Sequence, residues 1–275
     1  MTQHPFRQVD VFPGSPLGGN PVAVVLDADG VDEGAMRAFA RWTNLSETTF
    51  VLPPTDPAAD YRLRIFTPVD ELPFAGHPTL GSAHAWAEHT GSSVVEAVQQ
   101  CAAGLIRLRR TASGWSLAAP PLIRSGAASD EEVEAAAASL RIDVADVLEA
   151  EWVDNGPGWL AVRLLDAEAV LALRPDFTAM PFPVGVVGPH AAGGPADHEV
   201  RAFVPGLGVA EDPVTGSLNA GIASWFFRTG LEEESYTVRQ GTALGADGRV
   251  GADDDGGTAW ITGATRTVIS GAVDL

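Results

Sequence analysis

The chain has 275 residues, 45% of them hydrophobic, and carries 36 Asp+Glu against 17 basic residues for a net charge of −19; that is enough apolar material for a core and, at this length, for two domains. All 17 basic residues are arginine, which excludes chemistry that depends on a lysine amine, such as pyridoxal phosphate Schiff bases, lysine aldolases and P-loops. The negative charge argues against a nucleic-acid partner, which demands clustered cations, and the single cysteine, Cys101, leaves no disulfide, zinc cluster or two-cysteine chemistry.

Residues 9–12, 21–26, 49–52 and 61–66 read as short strands rich in Val, Phe and Ile and bounded by Gly or Pro. Residues 32–42 read as an amphipathic helix with Met36, Phe39 and Ala40 on one face. Residues 93–118 suit three strands with turns at Ala103-Gly104 and Ser113-Gly114, and the Pro-, Ser-, Gly- and Ala-rich stretch 120–129 reads as a linker. Helices are expected over 131–140 and 144–148, then strands near 151–153, 159–164, 184–187 and 199–203, and a terminal strand pair at 258–261 and 265–269. Strands dominate without the regular rhythm of a doubly wound sheet. The N-terminus lacks a secretory pattern, and the longest uncharged run, 177–196, is broken by four prolines and cannot span a membrane. With no basic amphipathic segment for a membrane surface, the expectation is a cytoplasmic protein that acts on a small molecule.

A weak internal repeat stands out. His77-Pro78-Thr79-Leu80-Gly81-Ser82 and Asp212-Pro213-Val214-Thr215-Gly216-Ser217 share the frame X-Pro-x-x-Gly-Ser, 135 positions apart. Each opens a helix, 78–86 and 215–227, that is small or apolar on every face and is therefore expected to be buried. Two such helix starts facing one cleft would hold an anion on unpaired backbone N–H groups without any basic side chain; the competing reading is that Gly-Ser merely permits tight helix packing. Glu47 lies between a helix end and an apolar strand, where a lone Glu is ordinarily solvated and where a desolvated one suits proton transfer. His77 reads as a helix cap or an acid/base partner, and Asp212 as an N-cap by residue type, with catalysis second. The spacing of His77, His84 and His89 fits no metal motif, neither a dinucleotide fingerprint nor a nucleophile elbow is present, and Cys101 reads as a small buried apolar residue.

These segments resemble the phenazine biosynthesis family. The resemblance is carried by Val9-Asp10-Val11-Phe12, Gly19-Asn20-Pro21-Val22-Ala23-Val24, Asn44-Leu45-Ser46-Glu47-Thr48-Thr49-Phe50, Arg64-Ile65-Phe66-Thr67-Pro68, Glu71-Leu72-Pro73-Phe74-Ala75-Gly76-His77-Pro78 and Glu211-Asp212-Pro213-Val214-Thr215-Gly216-Ser217, with Gln240-Gly241 and Gly245 later. It implies an α+β, diaminopimelate-epimerase-like fold of two pseudo-symmetric domains, 1–120 and 121–275, each a rolled mixed sheet around a central buried helix, with the last strand able to return to the first domain. It further implies a cofactor-independent isomerase of secondary, antibiotic-type metabolism that moves a proton and double bonds on a small anionic cyclic acid. Glu47 is its proton carrier, His77 and Asp212 are further catalytic residues, and Ser46, Gly76, Gly216 and Ser217 hold the substrate; no metal is involved. Epimerases of this fold use two cysteines, which residue type excludes here. Pro213, Val214, Leu218 and Asn219 are expected to line the pocket, and a homodimer is expected. The alternatives are an enzyme of the same fold with other chemistry, such as carbon–carbon bond hydrolysis, or a non-catalytic binding protein.

Overall fold

The computed structural model describes residues 2–205 and 210–275, and the chain divides into two compact units: Met1–Ala118 with Thr262–Leu275, and Ala119–Ile261. In the first unit β1 (Gln3–Val11) pairs antiparallel with β2 (Asn20–Val25), helix α1 (Glu33–Thr43) crosses over, and β3 (Glu47–Leu52) returns parallel to β2. Then β4 (Tyr61–Phe66) pairs antiparallel with β3 and with the two-residue β5 (Glu71–Leu72), and helix α2 (Gly76–Thr90) carries the chain to β6 (Glu96–Cys101), parallel to β4. Hairpins add β7 (Gly104–Arg110) and β8 (Gly114–Ala118).

The second unit repeats this order from its second strand onward, after an added strand and helix. A first strand, β9 (Arg124–Ala127), pairs with β10 (Glu149–Asp154) across helix α3 (Asp130–Leu140) and a single 3₁₀ turn, Val144–Asp146. β10 pairs with β11 (Leu160–Arg163), which runs parallel to β12 (Val184–Pro189) beyond the short helix α4 (Ala167–Ala172). β13 (His198–Phe203) pairs with β12 and with the two-residue β14 (Glu211–Asp212); helix α5 (Gly216–Thr229) then leads to β15 (Ser235–Gln240), parallel to β13, and to β16 (Gly248–Asp255). The last strand, β17 (Thr258–Asp274), runs on into the first unit, where it pairs with β1 and β8. That closes the first unit's strands into a ring, β17-β1-β2-β3-β4-β6-β7-β8, which leaves its polar backbone groups paired without an open edge.

Each unit buries one helix. From Gly76 to Ser82, α2 has no exposed residue, and α5 is buried from Gly216 through Ala223, as the small and apolar composition predicts. The small residues have a steric reason: a Cβ on Gly81 would stand 2.4 Å from Val22 Cγ1 in β2, and one on Gly221 would stand 2.4 Å from the Val153 carbonyl oxygen in β10. By contrast α1 buries only Met36, Phe39 and Ala40, which sit in a cluster with Phe50 and Phe66. In the second unit Trp152, Leu160, Val184 and Phe203 form the corresponding core.

Four expectations change. The proposed linker holds β9, an edge strand whose Gly126 takes φ of 107°. The helix over 144–148 is one 3₁₀ turn, cut short by β10. The terminal strand pair is one strand of 17 residues: Gly263 lies inside it because the Phe12 ring occupies the space its Cβ would need, 2.2 Å away, so this glycine marks a close approach and no turn. The elements α4, β5, β14, β15 and β16 were absent from the sequence reading.

Candidate active site

In the first unit, α1 ends at Asn44, whose φ of 53° and ψ of 31° place it in the left-handed region. The chain turns through Leu45 and the half-buried Ser46, so Glu47 becomes the first residue of β3. Because β2 and β3 are parallel with Val22 opposite Glu47, Asn20, the first residue of β2, starts at the same end of the sheet. The first turn of α2 delivers His77 between them. Its Nε2 stands 3.2 Å from Glu47 Oε2, an oblique approach rather than an aligned hydrogen bond, and its Nδ1 stands 3.2 Å from Asn20 Nδ2. Asn20 and His77 are buried, and the Glu47 side chain retains 14% exposure. Burial lowers the His77 pKa to about 3, because the imidazolium loses its hydration there; the ring is neutral at neutral pH.

The start of α2 is bare. Side chains cap α1 (Asp32), α3 (Ser129, with Glu132 closing a capping box) and α4 (Asp166), whereas the N-cap of α2 is Ala75, which offers no side-chain bond. The Gly76 and His77 N–H groups therefore lack a partner within the helix and carry the positive end of its dipole. His77 lies inside the first turn and is not a cap. Further along, Thr79 Oγ1 accepts from Gln99 Nε2 at 3.0 Å, and Gln99 Oε1 accepts from the buried Tyr61 hydroxyl at 3.1 Å.

The second unit builds the matching corner. The N-cap of α5 is Thr215, again without a side-chain cap bond, so Asp212 is not the cap that its residue type suggests. It sits in β14, and its Oδ2 accepts from the Thr215 hydroxyl at 2.6 Å. Gln240, fully buried, ties the corner: its Oε1 accepts from Thr215 N (3.1 Å) and Asn219 Nδ2 (2.9 Å), and its Nε2 donates to Thr215 Oγ1 (2.9 Å) and the Asp212 carbonyl (3.2 Å). Gly216 is buried at the helix start, and Ser217 accepts from Trp159 Nε1 at 3.1 Å through its hydroxyl oxygen while its carbonyl accepts from Asn155 Nδ2 at 2.8 Å. Val214, Leu218 and Asn219, expected along a pocket, are buried within this unit, and Asn219 is committed to Thr215 and Gln240.

These contacts correct the register of the repeat. Arg64 in β4 makes a two-pronged pair with Glu71 in β5 (2.7 and 2.6 Å) and lies over Phe66; Arg201 in β13 does the same with Glu211 in β14 (2.8 and 2.8 Å) and lies over Phe203. Starting from those glutamates, Glu71-Leu72-Pro73-Phe74-Ala75-Gly76-His77 matches Glu211-Asp212-Pro213-Val214-Thr215-Gly216-Ser217 without a gap, 140 positions apart. Gly76 thus corresponds to Gly216, His77 to Ser217, and Gly81 to Gly221; the shared Gly-Ser of the sequence frame is a coincidence of letters. At Gly81-Ser82 the packing reading of Gly-Ser holds, with Ser82 Oγ 2.9 Å from Thr49 Oγ1.

Asn20, Gln99, Asn155 and Gln240 are the site residues that sequence reasoning missed. Asn20 and Gln240 stand in the segments that carry the family resemblance, but their neighbours, Gly19 and Pro21 for one and Arg239 and Gly241 for the other, do not mark them as buried. His84 instead bonds Thr265 and Thr267, His89 bonds Asp27, and Cys101, half-buried at the end of β6, holds its thiol against the Gly104 carbonyl with its pKa raised by burial. Among the described residues no helix is long and apolar enough to cross a membrane.

The model of the family described as phenazine biosynthesis-like protein matches residues 9–271. The trans-2,3-dihydro-3-hydroxyanthranilate isomerase of Pseudomonas chlororaphis is 35% identical over 98% of this chain and 95% of its own, and antisense-enhancing sequence 1 of Schizosaccharomyces pombe is 36% identical over 98% and 99%. A phenazine biosynthesis protein from Enterococcus faecalis aligns over the whole of both chains with a TM-score of 0.82 at 24% identity. A hydroxyproline epimerase from Agrobacterium vitis aligns over 99% of this chain and 91% of its own with a TM-score of 0.61 at 13% identity. These two structures show the shared diaminopimelate-epimerase-like fold.

Proposed function

Because the chain belongs to the phenazine biosynthesis-like family and is an isomerase of that type, we propose that it moves a proton and the double bonds of a small cyclic carboxylic acid, with Glu47 as the proton carrier. The substrate class is that of the relative from Pseudomonas chlororaphis, a dihydro-hydroxyanthranilate. The observation that carries this reading is the Glu47–His77 contact at the bare start of α2. The Glu47 carboxylate is largely withdrawn from solvent beside the substrate-facing helix start, and the neutral His77 next to it is no competing cation. The Gly76 and His77 N–H groups suit a substrate carboxylate, and Ser46 lies one residue from the base.

The ionised Glu47 removes the proton from the ring carbon that bears the hydroxyl; the double bonds shift, and the protonated Glu47 returns that proton to a distal ring carbon, giving an enol that relaxes to the ketone. No atoms are gained or lost, so no cofactor is required. We further assign a catalytic role to Asp212 and substrate-binding roles to Gly216 and Ser217. Ser217 Oγ accepts from Trp159, which leaves its hydroxyl hydrogen and one lone pair to offer a substrate. The enzyme is read as a cytoplasmic homodimer of secondary metabolism.

The test is incubation with trans-2,3-dihydro-3-hydroxyanthranilate in deuterated water, followed by NMR and mass analysis. Isomerisation yields a ketone isomeric with the substrate, which keeps the carried proton at the distal carbon and takes solvent deuterium where the enol relaxes to the ketone. Ring cleavage, or recovery of unaltered acid, would overturn the reading.

A further inference from the structure

We propose that Asn20 is a positioning residue that sets the tautomer of His77, so that the imidazole presents an N–H, and not a lone pair, to the Glu47 carboxylate. The proposal rests on the reading of Glu47 as the acid/base group and deepens it. Two polar side chains stand against the His77 ring: Nδ1 is 3.2 Å from the Asn20 amide nitrogen, and Nε2 is 3.2 Å from Glu47 Oε2 in an oblique approach. A neutral imidazole has one hydrogen to place. On Nε2 it turns the positive end of an N–H dipole toward the carboxylate; on Nδ1 it would oppose the Asn20 amide hydrogens and leave the Nε2 lone pair 3.2 Å from a carboxylate oxygen, in a buried site where repulsion is poorly screened. An amide NH₂ can only donate, so Nδ1 must accept and the hydrogen must sit on Nε2.

Asn20 is well placed to enforce this. It is fully buried and opposite Val11 in the β1–β2 pair. Gly19 before it donates its N–H to the buried Asp10 Oδ1 at 3.1 Å, and no side chain fits on Gly19, since a Cβ would stand 2.2 Å from the Val11 carbonyl oxygen and 2.5 Å from Asp10 Oδ1. The Asp10–Gly19 contact therefore fixes the backbone that leads into the amide. With Glu47 Oε2 facing the His77 N–H, the proton taken from substrate goes to Oε1. His77 keeps its hydrogen throughout and is not a second proton carrier.

The direct test is the tautomer, read in the wild-type protein labelled with ¹⁵N-histidine by long-range ¹H–¹⁵N correlation, the His77 signal being identified among the six histidines by its loss in His77→Gln. The expected spectrum shows His77 neutral with hydrogen on Nε2; hydrogen on Nδ1 would overturn the proposal whatever any variant does. Asn20→Asp keeps the shape but replaces the donor by an acceptor, so it should move the hydrogen to Nδ1. Turnover of the dihydro-hydroxyanthranilate should then fall by ~10²–10⁴-fold with a small change in KM, the size of effect seen when a catalytic imidazole is held in the wrong tautomer. The acid limb of the pH profile should also move to higher pH. A variant that leaves the tautomer unmoved, or moves it with turnover within threefold of wild type, refutes the positioning role. Wild-type protein inert toward that acid would refute the proposed function, and the spectrum would still decide the tautomer.

Discussion

Gly81→Ala puts a single methyl group where α2 crosses β1 and β2, and its consequences can be worked from distances. The new Cβ would lie 2.4 Å from Val22 Cγ1 and 2.9 Å from Val11 Cγ2, whereas carbons pack at about 3.5–4.0 Å. The helix must therefore move off the strands by roughly 1 Å, because both valines are fully buried and have nowhere to turn. Overpacking of this kind costs about 1–3 kcal/mol, and the gain from alanine in a helix interior returns about 1 kcal/mol. The net loss of about 0–2 kcal/mol is modest. Activity should suffer more, since His77 sits one turn away on the same helix while its partners Asn20 and Glu47 sit on the strands. A displacement of about 1 Å at reacting groups is worth ~10²-fold in rate. The assay is kcat with urea melts of both proteins: turnover near 1% of wild type beside a small stability loss is expected. A variant that is both more stable and fully active would show that α2 is not pressed onto those strands, and the packing account would be wrong. Gly221→Ala meets the Val153 backbone oxygen at 2.4 Å, which cannot rotate away, so its stability loss should exceed that of Gly81→Ala.

The remaining predictions follow from the paired corners and the buried imidazole. Arg201→Ala, which strands Glu211 in a pair whose side chains are 6% and 8% exposed, should cost ~3–5 kcal/mol in urea unfolding, while Arg64→Ala in the more open counterpart should cost about 1 kcal/mol; equal losses would remove burial as the reason. Asp212→Asn should lower turnover at least tenfold while shifting stability by under ~1 kcal/mol, because the amide oxygen of the variant still accepts from the Thr215 hydroxyl and no helix cap is lost; a large fall in Tm with intact turnover would make Asp212 structural. The folded-state pKa of His77, depressed from 6.5 to about 3, means that the unfolded chain binds the extra proton first, so its contribution to stability is whole above about pH 6.5 and is lost as pH falls toward 3. Tm measured across that window should decline less steeply for His77→Gln than for wild type, and parallel curves would contradict a neutral buried ring.

What was legible in the sequence was what periodicity and composition encode. Runs of Val, Phe and Ile located β2, β3 and β4, and the absence of charge on any face of 78–86 and 215–227 foretold that α2 and α5 would be the buried helices. Glu47 and His77 were legible as chemistry, and the fold brings them to 3.2 Å. The register of the repeat was not, because Gly-Ser recurs by chance, whereas the true correspondence lives in two Arg–Glu pairs that only strand pairing reveals. β15 and β16 were missed because their faces alternate with Ser, Arg and Asp at the surface and carry few large apolar residues. Asn20 and Gln240 were missed because a buried amide looks like any other polar residue until its partners are known.

The central claim is that Glu47 alone carries the proton, and Glu47→Gln tests it most directly. Glutamine keeps the shape and the hydrogen-bonding reach but cannot accept a proton. The measurement is turnover of the dihydro-hydroxyanthranilate by variant and wild type, with ligand affinity and Tm recorded alongside. The account predicts unchanged affinity and Tm with turnover reduced by ~10⁴-fold or more, the upper end for an acid/base group; a Glu47→Gln enzyme that keeps more than about a tenth of wild-type turnover would contradict it, since that residual rate lies far above the range for a lost proton carrier.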